Sequence, residues 1–200
     1  MNLVKDDSTS LVIATSNKGK LKEFIDMLSI YPLQVLPPPK GFQVEETGKT
    51  FNKNARIKSL AAASLTGHLS LADDSGLCVS ALGGAPGVHS ARYAKNDKER
   101  IKRLLSELTE HKDRSAVFST AICLSSPEGN VLIEVEGKCF GLITFEPRGK
   151  DGFGYDPVFQ VQGTGLTFSE MNLSIKQKFG HRGNAFASLK PELEKLLNLI

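Results

Sequence analysis

The sequence predicts an α/β protein built on one mixed β-sheet. In the first half of the 200-residue chain, apolar strand-like segments alternate with patterns of helical period. After about residue 115 the pattern changes to long strand-like segments joined by the turn "PEGN", which is typical of a β-hairpin. Strand-helix units and a hairpin in one chain favour a sheet that contains both parallel and antiparallel strands.

Length and composition limit the possible classes of protein. No linker, repeat or low-complexity tract divides the chain, so residues 1–200 are predicted to form one domain. Hydrophobic residues make up 40% and charged residues 24%, close to globular averages, and the apolar runs are shorter than the ~20 residues of a membrane helix. The net charge of +3 comes from scattered lysines. We therefore expect a soluble protein that contacts neither membrane nor nucleic acid.

The N-terminal segment and the cysteines indicate the compartment. The first ten residues, "MNLVKDDSTS", lack the basic and then apolar order of a secretory signal, so a cytoplasmic location is expected. Cys78, Cys123 and Cys139 are odd in number and widely spaced. They indicate reduced core thiols, because neither a disulfide framework nor a zinc site fits this spacing.

Two strand-helix units are predicted in the first half of the chain. A buried strand at residues 11–15 precedes a helix whose apolar residues recur at i, i+3, i+4 and i+7, namely Leu21, Phe24, Ile25 and Leu28. A second strand and a surface loop are predicted in the proline-broken stretch "YPLQVLPPPKGF". The next helix is predicted from Thr50, its N-cap, to Thr66, and Gly67 ends it.

The remaining elements follow from the same patterns. "HLSLADDSG" predicts a short strand that ends in acids, and residues 96–108 predict a third helix capped by Asn96 or Asp97. Its inner face would carry Ile101, Leu104, Leu105 and Leu108. "AVFSTAICLSS" and "VLIEVEGKCFGLIT" predict two long antiparallel strands, "PVFQV" a further strand and residues 191–197 a closing helix.

The stretch "TSNKGK" lies between the first strand and the first helix and is polar and basic. A helix N-terminus presents free N–H groups and a partial positive charge, which together favour an anion such as phosphate. Lys18 and Lys20 add positive charge there. The alternative interpretation is an ordinary capped helix with solvated lysines.

Lys58 interrupts the apolar stripe of the second helix, which consists of Phe51, Ala55, Ala62 and Leu65. A buried ammonium group without a partner is costly, so Lys58 should extend to solvent or meet a carboxylate or phosphate. A structural ion pair is the alternative to a phosphate contact. Lys53 and Arg56 lie off the stripe and are expected to face solvent.

Paired acids occur at two places. Asp73 and Asp74 fall in "ADDSG", and Glu45 and Glu46 precede the helix that carries Lys58. Mg²⁺ commonly takes one or two protein carboxylates and leaves its other positions to water and substrate phosphate. The alternative for "ADDSG" is a plain turn, since Asp, Ser and Gly all favour turns. Together with the lysines, the acids predict a metal-phosphate site.

Two later segments suggest a base-binding region. In "GKDGFGYDPVF", glycines flank Phe153 and Tyr155, and an aromatic ring held there offers a stacking face for a base. The alternative is a turn with two core aromatics. "KQKFGHRGNAF" adds Lys176, His181 and Arg182. This second signal is weak by itself.

Taken together, these segments resemble a known family. "ATSNKGKLKEF", "EETGKTFNKNARIKSL", "LADDSGLCVSALGGAPGVHSARYA", "GFGYDPVF" and "GHRGNAF" are similar in order and spacing to motifs of the inosine triphosphate pyrophosphatase family, over about residues 11 to 187. The resemblance implies Mg²⁺-dependent cleavage of ITP, dITP and XTP to the monophosphate and pyrophosphate by a homodimer. It also implies an elongated mixed sheet flanked by helices, in two lobes with a central cleft.

The resemblance also implies roles for individual residues. Those implied to bind the triphosphate are Thr15, Asn17, Lys20 and Lys58, with Ser75 as a further substrate-binding residue. The implied metal ligands are Glu46, Asp73 and Asp74, and Asp74 would also activate water. The implied nucleoside pocket consists of Phe153, Tyr155, Asp156, Lys176, His181 and Arg182.

Two positions depart from the family pattern. Lys53 stands where the family often has glutamate, and Gly180 stands where it usually has serine, so that a backbone N–H would have to replace a hydroxyl contact. Two rival functions remain. One is a Maf-like pyrophosphatase acting on pyrimidine or modified nucleotides, against which "GFGYDP" and "GHRG" argue, and the other is a nucleotide-binding sensor without turnover.

Overall fold

The computed structural model describes residues 9–198, and residues 1–8, most of the segment used above to predict location, lie outside this range. The strands are β1 (Thr9–Ile13), β2 (Leu33–Leu36), β3 (Leu69–Val79), β4 (Ser115–Ser125), β5 (Val131–Ile143) and β6 (Phe159–Val161). The α-helices are α1 (Lys18–Leu28), α2 (Phe51–Thr66), α3 (Asp97–Glu107), α4 (Leu173–Phe179) and α5 (His181–Leu197). Within the described range, no helix is both long and apolar enough to cross a membrane.

The strands form one mixed sheet in the order β2-β1-β3-β4-β5-β6. β1 pairs in parallel with β2 and β3, whereas the β3-β4, β4-β5 and β5-β6 pairs are antiparallel. The predicted α/β class with a mixed sheet is therefore confirmed.

β3 is longer than the sequence pattern predicted. Only Leu69–Leu71 pairs with β1, and β3 then continues to Val79 alongside β4. The prediction that this strand ends at Asp73 and Asp74 is wrong, because pairing with β4 outweighs the turn preference of "DDSG". Since β1 stops at Ile13, the middle of β3 pairs with β4 on one edge and borders an open cleft on the other.

Two core clusters occupy opposite ends of the long strands. One includes Leu77, Phe118 and Ile143, together with the inner face of α3. The other includes Leu71 and Ile122, together with α1 and α5. The clusters form the two predicted lobes, and the residues of β3 between them, from Ala72 to Gly76, lie where the lobes meet.

The buried face of α2 differs from the predicted stripe. It is centred on Ala55, Ser59 and Ala62, whereas Leu65 is 63% exposed. Ser59 is buried because its hydroxyl hydrogen-bonds that of Ser125 at 2.7 Å. The predicted stripe counted only apolar residues and therefore left out Ser59. For this reason the predicted buried face of α2 is rotated about the helix axis relative to the observed one.

Two other helix predictions need correction. The closing helix was predicted at residues 191–197 but begins at His181 and continues through Pro191. Proline usually ends a helical pattern because it has no backbone N–H, and the extended packing of α5 on β4 and β5 outweighs that loss. Ile25, predicted to face inward on α1, is 46% exposed.

A glycine sets the distance between α5 and the sheet. A Cβ at Gly137 of β5 would overlap the backbone oxygen of His181 and the backbone nitrogen of Ala185. The first turn of α5 can lie against β5 only because this position has no side chain.

We predict that Gly137→Ala displaces the start of α5 and destabilises the protein by about 1 to 3 kcal/mol, the usual cost of overpacking a core. Denaturant unfolding would measure the change. Glu136→Ala, on the exposed face of the same strand, is the control and should change stability by under about 0.5 kcal/mol. Equal stabilities of Gly137→Ala and the wild type would contradict the close contact.

Candidate active site

A cavity of about 470 Å³ lies between the two lobes. All the predicted site residues except Asp73 and Lys176 line it, namely Thr15, Asn17, Lys20, Glu46, Lys58, Asp74, Ser75, Phe153, Tyr155, Asp156, His181 and Arg182. Asp73 and Lys176 are buried next to these residues. The structure therefore brings the predicted set together at one cleft, although their roles stay predictions.

The start of α1 forms one end of the cleft. The side chain of Asn17 caps the helix, accepting hydrogen bonds from the backbone N–H groups of Gly19 at 2.9 Å and Lys20 at 3.1 Å. Thr15 accepts a hydrogen bond from the backbone of Asn17 at 3.2 Å. The capped-helix interpretation thus describes Asn17, but Lys20 is not solvated, because its Nζ lies 2.9 Å from Asp73.

Asp73 and Asp74 contact different elements, because successive side chains of a strand point to opposite faces of the sheet. Asp73 Oδ2 contacts Lys20 Nζ of α1 at 2.9 Å and Arg182 Nε of α5 at 3.2 Å. Asp74 contacts α2, where Asn54 Nδ2 donates to its Oδ2 at 2.9 Å and Lys58 Nζ lies 3.8 Å from its Oδ1. One carboxylate organises α1 and α5, and the other faces α2.

The Asp73 carboxylate is buried and ionised. Burial alone would raise the pKa of Asp73, but the positive charges of Lys20, Arg182 and Lys58 hold that pKa well below its usual range. Its Oδ2 also accepts a hydrogen bond from Ser75 Oγ at 2.5 Å. Its Oδ1 is buried and has no hydrogen-bond partner among residues 9–198. One oxygen therefore serves the ion pairs, and the other is buried without a hydrogen-bond partner in the described residues.

The Asp74 carboxylate is in a different electrostatic environment. Burial raises the pKa of Asp74 above its usual value, although Lys58, Lys20 and the hydrogen bond from Asn54 oppose the shift. Asn54 is fully buried and was not among the predicted site residues. The signal that could have found it is a polar residue next to Ala55 on the predicted buried side of α2.

Lys58 forms the ion pair that the sequence left open. Its Nζ lies 2.7 Å from Glu46 Oε1, and Arg92 Nη1 contacts the other oxygen of Glu46 at 3.0 Å. Burial alone would lower the pKa of Lys58, but Asp73, Asp74 and Glu46 together raise it, so the group is charged. Because Lys58 also lines the cavity, the ion pair does not exclude a phosphate contact. Lys53 and Arg56 are exposed, as predicted.

A second buried ionic cluster lies behind the cleft. Glu23 of α1 contacts Arg182 Nη1 at 2.5 Å and Lys176 Nζ at 3.0 Å. Lys176 Nζ also contacts Asp156 at 2.6 Å. Glu23, which is only 6% exposed, was missed from the sequence because an acidic residue on a helix usually faces solvent.

The two aromatic residues of the "GFGYD" segment differ. Phe153 is half-buried, and its ring lies so close to α1 that a Cβ at Gly19 would be 2.5 Å from it. Tyr155 is 4% exposed, belongs to a core cluster and donates to the backbone oxygen of Ser90 at 3.0 Å. The core interpretation therefore fits Tyr155, whereas Phe153 is a half-buried ring at the cavity with Lys176 Nζ 4.5 Å from its centroid.

His181 lies at the back of the cavity as a buried ring. It stacks on Phe118 with the ring centroids 4.7 Å apart and the planes at 10°. In the part of the chain that the structure describes, neither ring nitrogen has a hydrogen-bond partner. Burial, together with the nearby charges of Arg182 and Lys176, lowers the pKa of His181 well below 6.5. The imidazole is therefore neutral at pH 7.

Gly180 does not offer the free backbone donor that the sequence suggested. Its N–H donates to the backbone oxygen of Lys176 at 2.8 Å, at the end of α4. A Cβ at Gly180 would lie 2.5 Å from that same oxygen. Glycine is therefore required by the tight junction between α4 and α5 in this chain.

The cleft does not contain a preformed cage for a metal ion. Among residues 9–198, no three His, Cys, Asp or Glu side chains are placed to hold a metal ion by themselves. Glu46 and Asp74 instead approach the same Lys58 ammonium. Two carboxylates in the cleft fit an ion such as Mg²⁺ that keeps few protein ligands, and the Oδ1 of Asp73 is a buried oxygen without a hydrogen-bond partner among residues 9–198.

Comparison with known proteins identifies the family. The model of the Ham1 family matches residues 11–192. The chain belongs to the Ham1 family. This confirms the family resemblance identified from the sequence motifs.

Individual Ham1 relatives cover nearly the whole chain. A dITP/XTP pyrophosphatase of Synechococcus sp. (strain CC9311) is 62% identical over 94% of this chain and 91% of its own. A dITP/XTP pyrophosphatase of Parasynechococcus marenigrum (strain WH8102) is 58% identical over 94% of this chain and 97% of its own. The solved structure of a HAM1 protein from Coxiella burnetii matches with a TM-score of 0.86 and 39% identity, covering 94% of this chain and 99% of that one.

We predict that neutral, buried His181 makes stability depend on pH. Below pH 6.5 the unfolded chain binds a proton that the folded state does not, so stability is lost as pH falls, by up to about 1.4 kcal/mol per pH unit. Denaturant unfolding at several pH values from about 8 to 5 would measure this slope.

His181→Leu is the informative comparison, because leucine is of similar size and does not titrate. Its unfolding free energy should fall less steeply below about pH 6.5 than that of the wild type, whatever its absolute stability. Parallel curves for the two proteins would show that His181 does not supply the pH dependence.

Proposed function

We propose that this chain hydrolyses non-standard purine nucleoside triphosphates, ITP, dITP and XTP, to the monophosphate and pyrophosphate. The observation that carries the proposal is one cavity lined by Lys20, Lys58 and Asp74, by Thr15 and Asn17 at the start of α1, and by the aromatic residue Phe153. Ham1 relatives at 58 to 62% identity are named dITP/XTP pyrophosphatases. The cations suit the triphosphate, the carboxylate suits hydrolysis, and the aromatic ring suits stacking on the base.

Water attacks the α-phosphorus in the proposed reaction. A new P–O bond forms, the bond from the α-phosphorus to the bridging oxygen breaks, and pyrophosphate leaves with that electron pair. The proton of the attacking water passes to Asp74. Lys20 and Lys58 offset charge that develops on the phosphate oxygens, which is the main protein contribution in phosphoryl transfer.

Asp74 is the candidate general base. Burial raises its pKa, which improves a carboxylate as a proton acceptor, and Lys58 keeps part of its charge stabilised. Asp73 is unsuited to this step, because Lys20 and Arg182 hold its pKa well below the usual range. The two neighbouring aspartates are therefore assigned different tasks by their surroundings.

A divalent ion, taken as Mg²⁺, belongs to the proposal. Glu46 and Asp74, which line the cleft, would hold it, and Asp73 is the third proposed ligand. When bound, such an ion would neutralise phosphate charge and make the attacking water more acidic.

The nucleoside end combines stacking with hydrogen bonding. Phe153 offers a face to any base, so it cannot discriminate. Arg182 donates from Nε to Asp73, from Nη1 to Glu23 and from Nη2 to Ser75. Each terminal nitrogen carries a second N–H group, which remains for a base carbonyl. Donors that face the 6-oxo group of hypoxanthine or xanthine would be left unpaired by the amino group of adenine.

Asp74→Asn should reduce turnover of ITP by about 10² or more, because a positioned base contributes at least that factor. Pyrophosphate release would be measured with and without Mg²⁺ for ITP, XTP, ATP, GTP and TTP. Asp113→Asn is the matched control, since Asp113 is exposed at the start of β4, and should retain turnover.

The same assay separates the rival functions. Preference for TTP would indicate a Maf-like pyrophosphatase, and binding without pyrophosphate release from any nucleotide would indicate a sensor. Wild-type turnover retained by Asp74→Asn would remove Asp74 from the mechanism. We place the reaction in the cytoplasm, with which three free thiols are consistent.

We further propose that the enzyme is a homodimer. An exposed apolar surface supports this: Phe140 is 56% and Leu142 50% exposed on one face of β5, and Phe145 just beyond the strand is 83% exposed. Large apolar side chains grouped at a surface often mark an interface between chains.

Phe140→Glu should therefore yield a monomer in sedimentation equilibrium, whereas the wild type should have twice the 21.7 kDa mass of the chain. Lys138→Glu, which is exposed on the same face of β5, is the control and should remain dimeric. A wild-type monomer, or a dimeric Phe140→Glu variant, would show that this surface is not the interface.

A further inference from the structure

We propose that Asn54 is a positioning residue that holds the Asp74 carboxylate in its catalytic orientation and couples it to the loop that carries Glu46. The inference rests on the proposed function, in which Asp74 accepts a proton from water. Asn54 lies one turn into α2, outside the cavity lining, and touches neither the cleft surface nor the solvent.

Both ends of the Asn54 amide are engaged. Its Nδ2 donates to Asp74 Oδ2 at 2.9 Å, and its Oδ1 accepts from the backbone N–H of Gly48 at 2.8 Å. A backbone N–H can only donate and a carboxylate can only accept, so one amide orientation satisfies both partners. Asparagine is the residue of this size that offers a donor and an acceptor at once.

The hydrogen bond from Asn54 completes the restraint on Asp74. Asp74 Oδ1 accepts from the backbone N–H of Ser75 at 2.9 Å, while Asn54 holds Oδ2. With one donor on each oxygen, rotation of the carboxylate is resisted at both ends. A general base depends on such geometry, because small displacements of a reacting group lower the rate strongly.

The second hydrogen bond of Asn54 reaches the loop before α2. Gly48 lies two residues after Glu46, which contacts Lys58 and Arg92. The space at Gly48 is filled by the Asn54 amide, since a Cβ there would lie 2.5 Å from Asn54 Oδ1. The position of the loop and the orientation of Asp74 thus depend on the same side chain.

Asn54→Asp separates the two contacts. When ionised, the new carboxylate still accepts from Gly48 but no longer donates to Asp74, so the assay is run at alkaline pH, where the pair does not share a proton. We expect kcat for ITP to fall by about 10² while the affinity for α,β-methylene-ITP, which is not cleaved at the α–β position, changes by under about threefold. Asn52→Asp adds the same charge two residues earlier on α2 and should leave kcat within about twofold.

Two further variants keep the test decisive if Asn54→Asp folds poorly. Asn54→Leu removes both contacts without adding charge, and Gly48→Ala pushes the amide aside while Asn54 is retained. Each should lower kcat by more than tenfold, with analogue affinity and melting temperature reported beside it. These losses are expected to arise in kcat, because the contacts orient the base and not the nucleotide.

The outcomes distinguish the inference from the proposed function. If Asn54 only anchors the loop, Asn54→Asp will retain wild-type kcat while Asn54→Leu loses it, and the inference is overturned. Equal losses of analogue affinity and kcat would also overturn it. A wild-type protein that releases no pyrophosphate would refute the proposed function itself.

Discussion

The buried carboxylate of Asp73 is the interaction on which the cleft depends. It lies in the middle of β3, where its Oδ2 holds Lys20 from α1 and Arg182 from α5. Burial alone would lower the pKa of Lys20, and the negative charge of Asp73 opposes that effect. Without Asp73, Lys20 would lose its carboxylate partner beside the cavity and Arg182 would keep only Glu23, and leaving one partner of a buried ion pair alone is costly.

Positive and negative side chains alternate in the ion pairs that extend from Arg182 behind the cleft. Arg182 forms an ion pair with Glu23, Glu23 with Lys176, and Lys176 with Asp156. Ion pairs between oppositely charged neighbours thus connect β3, the helices α1, α4 and α5, and the "GFGYD" segment. The main effect of such a network is to fix the position of each charged group. Its net contribution to stability is small, because the cost of desolvating the charges offsets much of their mutual attraction. It fixes Lys20, Arg182 and Lys176 relative to one another around the cleft.

The sequence predicted those features that repeat along the chain. Period-2 and period-3.6 patterns predicted the mixed sheet and most helices, and the motif resemblance predicted the residues that line the cleft. Asn54 and Glu23 were missed because their buried partners, Asp74 and Arg182, are distant in sequence, and for Asn54 the only local signal was its place beside Ala55 on α2. The end of β3 was misplaced because pairing with β4 overrides the turn preference of Asp, Ser and Gly.

The free energy of unfolding of Asp73→Asn, measured with denaturant near neutral pH, tests the central role of this carboxylate most directly. The substitution preserves shape and removes the charge that Lys20 and Arg182 share. A loss of about 3 to 5 kcal/mol relative to the wild type is the predicted result, because Lys20 is left without its carboxylate and Arg182 keeps only Glu23. A loss below about 1 kcal/mol would contradict the account, since the two cations would then be held in place by other groups.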